Sequence, residues 1–101
     1  AEYNVADEEI VARKPANLSH EEAAAIPLAG ATAWDALITR GLLTVSETVL
    51  IHGAGGVGSL AIQIARAAGA RVLVVCAGYM VDTARELGAD QAYDYAADDW
   101  E

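Results

Sequence analysis

The stretch that decides the fold runs from residue 48 to residue 76 and reads TVLIHGAGGVGSLAIQIARAAGARVLVVC. Its first four residues, Thr48 to Ile51, predict a buried parallel strand that is covered on both faces. A glycine-rich turn follows, and apolar residues then recur at helical spacing from Val57 to Ala68. Gly69 is the predicted end of that helix, and the apolar run Arg71–Cys76 predicts a second buried strand. Strand, helix and strand together make one βαβ unit.

The glycine-rich turn has the G-x-G-x-x-G spacing of a dinucleotide-binding motif. Gly53 permits a tight turn, Gly55 lacks the side chain that would block a pyrophosphate, and Gly58 lets the helix approach the strand. The backbone N–H groups and the positive dipole end of the helix would then face the anion. The alternative is a glycine turn that has only a structural packing role and binds no dinucleotide. The residues expected to hold the pyrophosphate are Gly53, Ala54, Gly55, Gly56, Val57 and Gly58.

The same alternation continues beyond the βαβ unit. A helix is predicted from about Met80 to Leu87, with Gly88 as its stop, and a short strand near Gln91 to Tyr95. The predicted class is therefore α/β, with three strands of a doubly wound parallel sheet, which is part of a Rossmann fold. Three strands are too few for a finished domain, and the chain starts without Met, so we expect a fragment of a longer protein.

The part of the chain before residue 48 is predicted to be mostly helical. Ser19 and Glu22 have the spacing of a capping box, which predicts a short helix from about His20 to Ile26. Pro27 interrupts it, and a second helix is expected from about Ala29 to Arg40. Residues 1–17 carry short extended patterns and then a proline, and are expected to form strand, turn and connector.

Composition limits the partners and the compartment. The net charge of −9 and the scattered Lys and Arg residues argue against nucleic acid and anionic membranes as partners. No run of 18 or more apolar residues is present, so no membrane span is expected. Cys76 has no second cysteine to pair with, which favours a reducing compartment, and we expect the cytoplasm. His20 and His52 lack companions at metal-ligand spacing, so no metal ligands are expected.

The end of the second predicted strand bears on the choice of coenzyme. An Asp or Glu there would bind the adenosine ribose of NAD, but Ala77, Gly78 and Tyr79 carry no negative charge. A 2′-phosphate would meet no repulsion from these residues, which favours NADP. No adjacent Arg or Lys is present to bind the phosphate, so NAD stays possible as the coenzyme.

Several segments together resemble zinc-independent quinone oxidoreductases of the zeta-crystallin type, within the medium-chain dehydrogenase/reductase superfamily. The resemblance covers nearly the whole chain. The matching segments follow one another in the order typical of that family, which is a more specific signal than the glycine motif alone. The segments that carry it are KPANLS at 14–19, EEAAAIPLAG at 21–30, TAW at 32–34, TVLIHG at 48–53 through Gly58, RELGAD at 85–90, and Asp94-Tyr95.

The resemblance implies an enzyme that transfers hydride from NADPH to a quinone or another α,β-unsaturated carbonyl, in a homo-oligomeric parent protein. Residues 1–18 would be the tail end of a GroES-like catalytic domain and a connector, and residues 19–101 a partial NAD(P)-binding Rossmann domain. Thr32 would lie near the nicotinamide and Tyr95 near the adenosine phosphate. Helix capping is the alternative role for Thr32, and strand-end packing for Tyr95. Most of the substrate pocket would lie elsewhere, so no catalytic residue is assigned and the fragment alone is expected to be inactive.

Two other functions stay open. The short turn Gly53-Ala54-Gly55-Gly56 resembles that of zinc-dependent alcohol dehydrogenases, which would show metal ligands in the preceding domain. A non-catalytic dinucleotide-binding or structural relative would bind coenzyme without turnover.

Overall fold

The chain alternates helices and strands, as its sequence predicts. The structure is a computed structural model that describes residues 2–97. Within that range the strands are Thr48–His52 (β1), Arg71–Cys76 (β2) and Gln91–Asp94 (β3), and they form a parallel sheet in the order β1-β2-β3. The α/β class and the three parallel strands are therefore confirmed. None of the helices in residues 2–97 is long and apolar enough to cross a bilayer.

Four α-helices accompany the sheet, and two of them connect its strands. The helix between β1 and β2 is the longest, and the helix between β2 and β3 is shorter. The α-helices are His20–Ala24 (α1), Pro27–Trp34 (α2), Gly56–Ala67 (α3) and Val81–Leu87 (α4); Glu8–Ile10 and Gly78–Met80 are 3₁₀ turns.

The second predicted helix differs from the expectation at both ends. It begins at Pro27 rather than Ala29, because proline fits the first helical position, where an N–H would have no partner inside the helix. From Asp35 to Arg40 the backbone is π-helical instead of α-helical. The widened turn ends with the N–H of Leu43 donating to the carbonyl of Leu37 over 2.9 Å.

One hydrophobic core lies between the sheet and the connecting helices. Alternate residues of β2 point into it, including Val72 and Val74, which are fully buried. Ile62 on α3 and Ala84 on α4 join the same cluster, so both helices cover one face of the sheet. This arrangement follows from right-handed crossovers between consecutive parallel strands.

The prediction that β1 is covered on both faces is wrong for the part of the chain that the structure describes. Ile51 points toward the helices and is buried, whereas Leu50 on the opposite face is 47% exposed. Two causes combine: β1 lies at the edge of the three-stranded sheet, and α3 and α4 both pack on the other face. The central strand β2 is the buried strand of the sheet.

The expected strand near the N-terminus is also wrong. Tyr3 and Val5 are 90% and 97% exposed, and within residues 2–17 the structure forms a single 3₁₀ turn, Glu8–Ile10. Asp7 caps this turn by accepting a hydrogen bond from the N–H of Glu9 over 3.1 Å. A strand needs a neighbour for its backbone groups, and the three strands described here pair only among themselves.

The predicted capping box at the start of α1 is confirmed. The Ser19 hydroxyl accepts from the N–H of Glu22 over 3.0 Å, and the Glu22 carboxylate accepts from the N–H of Ser19 over 2.9 Å. Hydrogen bonds from the Ser19 backbone and then from its side chain lower the pKa of Glu22. The box therefore contributes stability to α1 at pH values above the ordinary pKa of a glutamate. This contribution is lost as the pH falls through the lowered pKa of Glu22.

We expect the substitution Ser19→Ala to raise the pKa of Glu22 toward its ordinary value. The alanine removes the hydroxyl, and the frayed helix start loosens the remaining backbone contact. An NMR titration of the Glu22 carboxyl carbon measures the shift, with Glu21 as the control. An unchanged titration of Glu22 in Ser19→Ala would show that the Ser19 hydroxyl does not contribute to the lowered pKa of Glu22.

Candidate dinucleotide-binding site

The glycine-rich turn lies at the carboxyl end of β1 and leads directly into α3. Gly53 has a φ of 92°, in the left-handed region that favours glycine, and its N–H donates to the carbonyl of Val75 over 2.6 Å. This hydrogen bond ties the turn to the neighbouring strand β2. The chain therefore reverses tightly above the sheet, as the sequence predicts.

Gly58 provides the close contact between helix and turn. A Cβ atom built on Gly58 would overlap the carbonyl oxygen of Gly53 and lie 2.8 Å from its carbonyl carbon. Both neighbouring atoms belong to the backbone and cannot rotate away. Any side chain at position 58 would push α3 away from the end of β1.

Gly55 and Gly56, in contrast, face open space. Cβ atoms built at these two positions would meet nothing within 4 Å. Gly55 is the N-cap of α3, where no side chain caps the helix and the first turn contains no acidic residue. The start of a 12-residue helix is thus open to an anion that binds to backbone N–H groups.

The other residues of the turn differ in exposure. Ala54 is 4% exposed and belongs to the core, so its side chain anchors the turn. Val57 is 43% exposed at the beginning of α3. Ala54 thus holds one side of the turn against the core, and Val57 lies on the exposed side.

The residues that follow β2 reach the same edge of the sheet. Ala77 begins a 3₁₀ turn over Gly78–Met80, and the side chain of Tyr79 is 85% exposed. Because β1 and β2 are parallel neighbours, this turn lies beside the glycine-rich turn. The structure therefore brings these two predicted parts of the site together.

Tyr95 lies at this edge as well, directly after β3. Its N–H donates to the carbonyl of Cys76 over 3.1 Å, and its side chain is 59% exposed. The backbone of Tyr95 is thus fixed to β2, while the residue as a whole stays exposed to solvent.

Thr32 lies on α2. Its hydroxyl donates to the carbonyl of Leu28 over 3.0 Å, one helical turn back. The alternative role of helix N-terminal capping is wrong, because α2 begins five residues earlier, at Pro27. Helix α2 packs against α3, with Leu60 near Gly30 at the contact.

Asp94 is a further polar residue of this edge, and the dinucleotide-binding motif assigns it no role. It is the last residue of β3 and the register partner of Cys76 in β2. A Cβ on Gly78 would overlap a carboxylate oxygen of Asp94 and lie 3.2 Å from its Cγ atom. The negative charge of Asp94 thus lies against the turn after β2. Sequence spacing does not indicate this contact, because position 94 lies 16 positions after position 78.

Cys76 is a core residue. Its side chain is 2% exposed, and burial, followed by the negative charge of Asp94, raises the pKa of the thiol. Residues 2–97 contain no group of three or more His, Cys, Asp and Glu side chains that could hold a metal ion.

Comparisons with known proteins agree with this geometry. Residues 56–101 match a family model described as zinc-binding dehydrogenase. The mitochondrial NAD(P)H oxidoreductase RTN4IP1 of Danio rerio is 41% identical over 96% of this chain. The chloroplastic NADPH-dependent alkenal/one oxidoreductase of Arabidopsis thaliana is 36% identical over 100% of it.

Among solved structures, the chain is similar to the quinone oxidoreductase of Thermus thermophilus, which was also solved in complex with NADPH. The TM-score is 0.74, with 38% identity over 82% of this chain. The chain spans 26% to 28% of the length of these three relatives. The strand order, the glycine turn and these similarities together place the chain in the medium-chain dehydrogenase/reductase superfamily.

Proposed function

We propose that this segment belongs to a longer oxidoreductase that transfers hydride from NADPH to a quinone or another α,β-unsaturated carbonyl. The observation that carries the proposal is the glycine turn, in which Gly58 packs on Gly53 and Gly55 leaves the start of α3 open. The names of the Arabidopsis and Thermus relatives support NADPH as the coenzyme and both substrate classes. The proposed domain division, residues 1–18 and 19–101, is supported by the fact that residues 2–17 all lie exposed, outside the core.

The residues present fit a dinucleotide. We propose that Gly53 to Gly58 hold the pyrophosphate through backbone N–H groups, which attract an anion although the chain carries a net charge of −9. Ala77, Gly78, Tyr79 and Tyr95 would surround the adenosine end, because they follow the neighbouring strands at the same edge. Thr32 would lie near the nicotinamide, a role that rests on the resemblance. When bound, NADPH would supply the hydride, and the protein would orient it and exclude water.

A zinc-dependent alcohol dehydrogenase is the second candidate. The description of the matching family model and the short glycine turn favour it. Its metal ligands would have to come from outside the described residues, since residues 2–97 hold no metal-binding group. Metal analysis of the purified full-length protein separates the two candidates.

We expect the full-length protein to oxidise NADPH when given a quinone or an enone, and the 101-residue chain alone to show no turnover. The chain spans about a quarter of its relatives, so most of a substrate pocket would lie outside it. Loss of NADPH absorbance measures both reactions, with a simple alcohol and NADP⁺ as the control pair. Coenzyme binding without turnover of any of these substrates would favour a non-catalytic relative.

The remaining parts of the proposal concern the compartment and assembly. We propose a cytoplasmic location, which the unpaired, buried thiol of Cys76 supports. The Danio and Arabidopsis relatives are named as organellar proteins, so imaging of the tagged full-length protein is the test. We also propose a homo-oligomer, for which light scattering gives the mass.

A further inference from the structure

A groove open to solvent lies between the N-terminal segment and the helices that follow it. Its volume is about 520 Å³, which is within the usual range of small-molecule sites. One side is formed from the range 10–15 and the other from the range 20–27. The proposed domain division assigns these two sides to different domains, and ligand sites are common at such boundaries.

Apolar side chains form most of the groove, although it faces water. Ile10 is 79% exposed and Ile26 is 38% exposed. Ala23, Ala24 and Pro27 continue this apolar surface along the helical side. A ligand with an apolar body would remove these residues from water, which favours its binding.

The charged and titratable side chains of the groove are all basic. They belong to Arg13, Lys14 and His20, and no Asp or Glu in the described part of the chain lines the groove. This composition is the opposite of that of the whole chain, which has 15 Asp and Glu residues and 6 Lys and Arg residues. The groove therefore attracts an anion locally, although the net charge of the chain is −9.

Arg13 is the residue best placed to bind that anion. Within residues 2–97 its guanidinium forms no hydrogen bond or ion pair with another residue. A guanidinium presents five N–H donors in a fixed plane and can bind both oxygens of one carboxylate. The ammonium group of Lys14 has less capacity left, because it already donates to the carbonyls of Pro15 and Leu18.

We propose that this groove binds an amphipathic carboxylate of the fatty-acid class. Its carboxylate would accept hydrogen bonds from the guanidinium of Arg13, and its apolar body would cover Ala24 and Ile26. The inference goes beyond the proposed function, because none of the groove residues belongs to the proposed coenzyme site.

The test is a calorimetric titration of the full-length protein with octanoate, and with 1-octanol as the neutral analogue of the same chain length. We expect Arg13→Gln to raise the dissociation constant of octanoate about three- to tenfold at low ionic strength, because the opposite charge disappears. The dissociation constant of 1-octanol should not change. Arg13→Lys keeps the positive charge and should recover part of the affinity for octanoate.

The matched control is Arg40→Gln. It removes the same charge from the π-helical segment, outside the groove, where Arg40 pairs with Asp35 over 2.8 Å. We expect this variant to bind octanoate as tightly as the wild-type protein. A comparison that needs no variant is the effect of salt: binding of octanoate by the wild-type protein should weaken as NaCl is added, and binding of 1-octanol should not.

Three results would overturn the inference. They are the absence of saturable octanoate binding, equal affinity of the wild-type protein for octanoate and 1-octanol, and equal octanoate binding by the wild-type and Arg13→Gln proteins. A parallel titration with NADPH keeps the two proposals apart. Unchanged NADPH binding by Arg13→Gln shows that the variant is folded, whereas failure of the wild-type protein to bind NADPH would contradict the proposed function and leave the groove site standing.

Discussion

Gly58→Ala is expected to destabilise the protein by about 3 kcal/mol or more, although it adds a single methyl group. The new Cβ would overlap the carbonyl oxygen of Gly53, and neither backbone segment can rotate out of the way. Relief requires α3 to move away from β1, which would open the contact with Ile62 and the core beneath it. Chemical unfolding of the full-length protein measures the change in the free energy of unfolding.

The matched control is Gly56→Ala, two residues earlier in the same helix. Its Cβ would meet nothing within 4 Å, and alanine restricts the unfolded chain. We expect Gly56→Ala to be neutral or to stabilise the protein by less than about 1 kcal/mol. If Gly58→Ala is as stable as Gly56→Ala, the close contact between α3 and Gly53 does not hold the turn.

Gly55→Val is expected to weaken NADPH binding by about 100-fold, or about 2.8 kcal/mol, without loss of stability. The free protein has room for the added Cβ atom, which meets nothing within 4 Å at Gly55. The same open space is where we propose that the pyrophosphate approaches the start of α3, so a valine would block it. Calorimetric titration with NADPH measures the loss, and thermal unfolding checks the fold.

Val57→Ala is the control for this substitution. It shortens a side chain that is 43% exposed in the first turn of α3 and leaves the backbone N–H groups in place. We expect this variant to bind NADPH about as tightly as the wild-type protein. Equal binding by wild-type, Gly55→Val and Val57→Ala proteins would mean that the pyrophosphate does not lie on this turn.

The parts of the fold that could be predicted are those in which local pattern and tertiary structure agree. The run Arg71–Cys76 forms β2 with the predicted bounds, because the central strand of a parallel sheet is apolar on both faces. The roles of Gly53 and Gly58 also followed from the motif, since each is set by backbone geometry within a few residues. The capping box at Ser19 is local in the same way.

The parts that could not be predicted depend on neighbours distant in sequence or on fine helical geometry. The sequence of β1 contains a continuous apolar run, as that of β2 does, yet only the sheet order shows that Leu50 lies on an uncovered face. Apolar periodicity over Ala29–Arg40 does not distinguish an α-helix from the π-helical segment that begins at Asp35. Asp94 reaches Gly78 through the pairing of β2 with β3, which no spacing rule contains.

The most direct measurement is a titration of the full-length protein with NADPH and NADH, followed by nicotinamide fluorescence. We expect saturable binding of NADPH, and binding of NADH that is weaker by a modest factor, because the glycine turn fits the pyrophosphate that both share. Absence of binding by either coenzyme would contradict the oxidoreductase function and leave the chain as a structural relative of the fold.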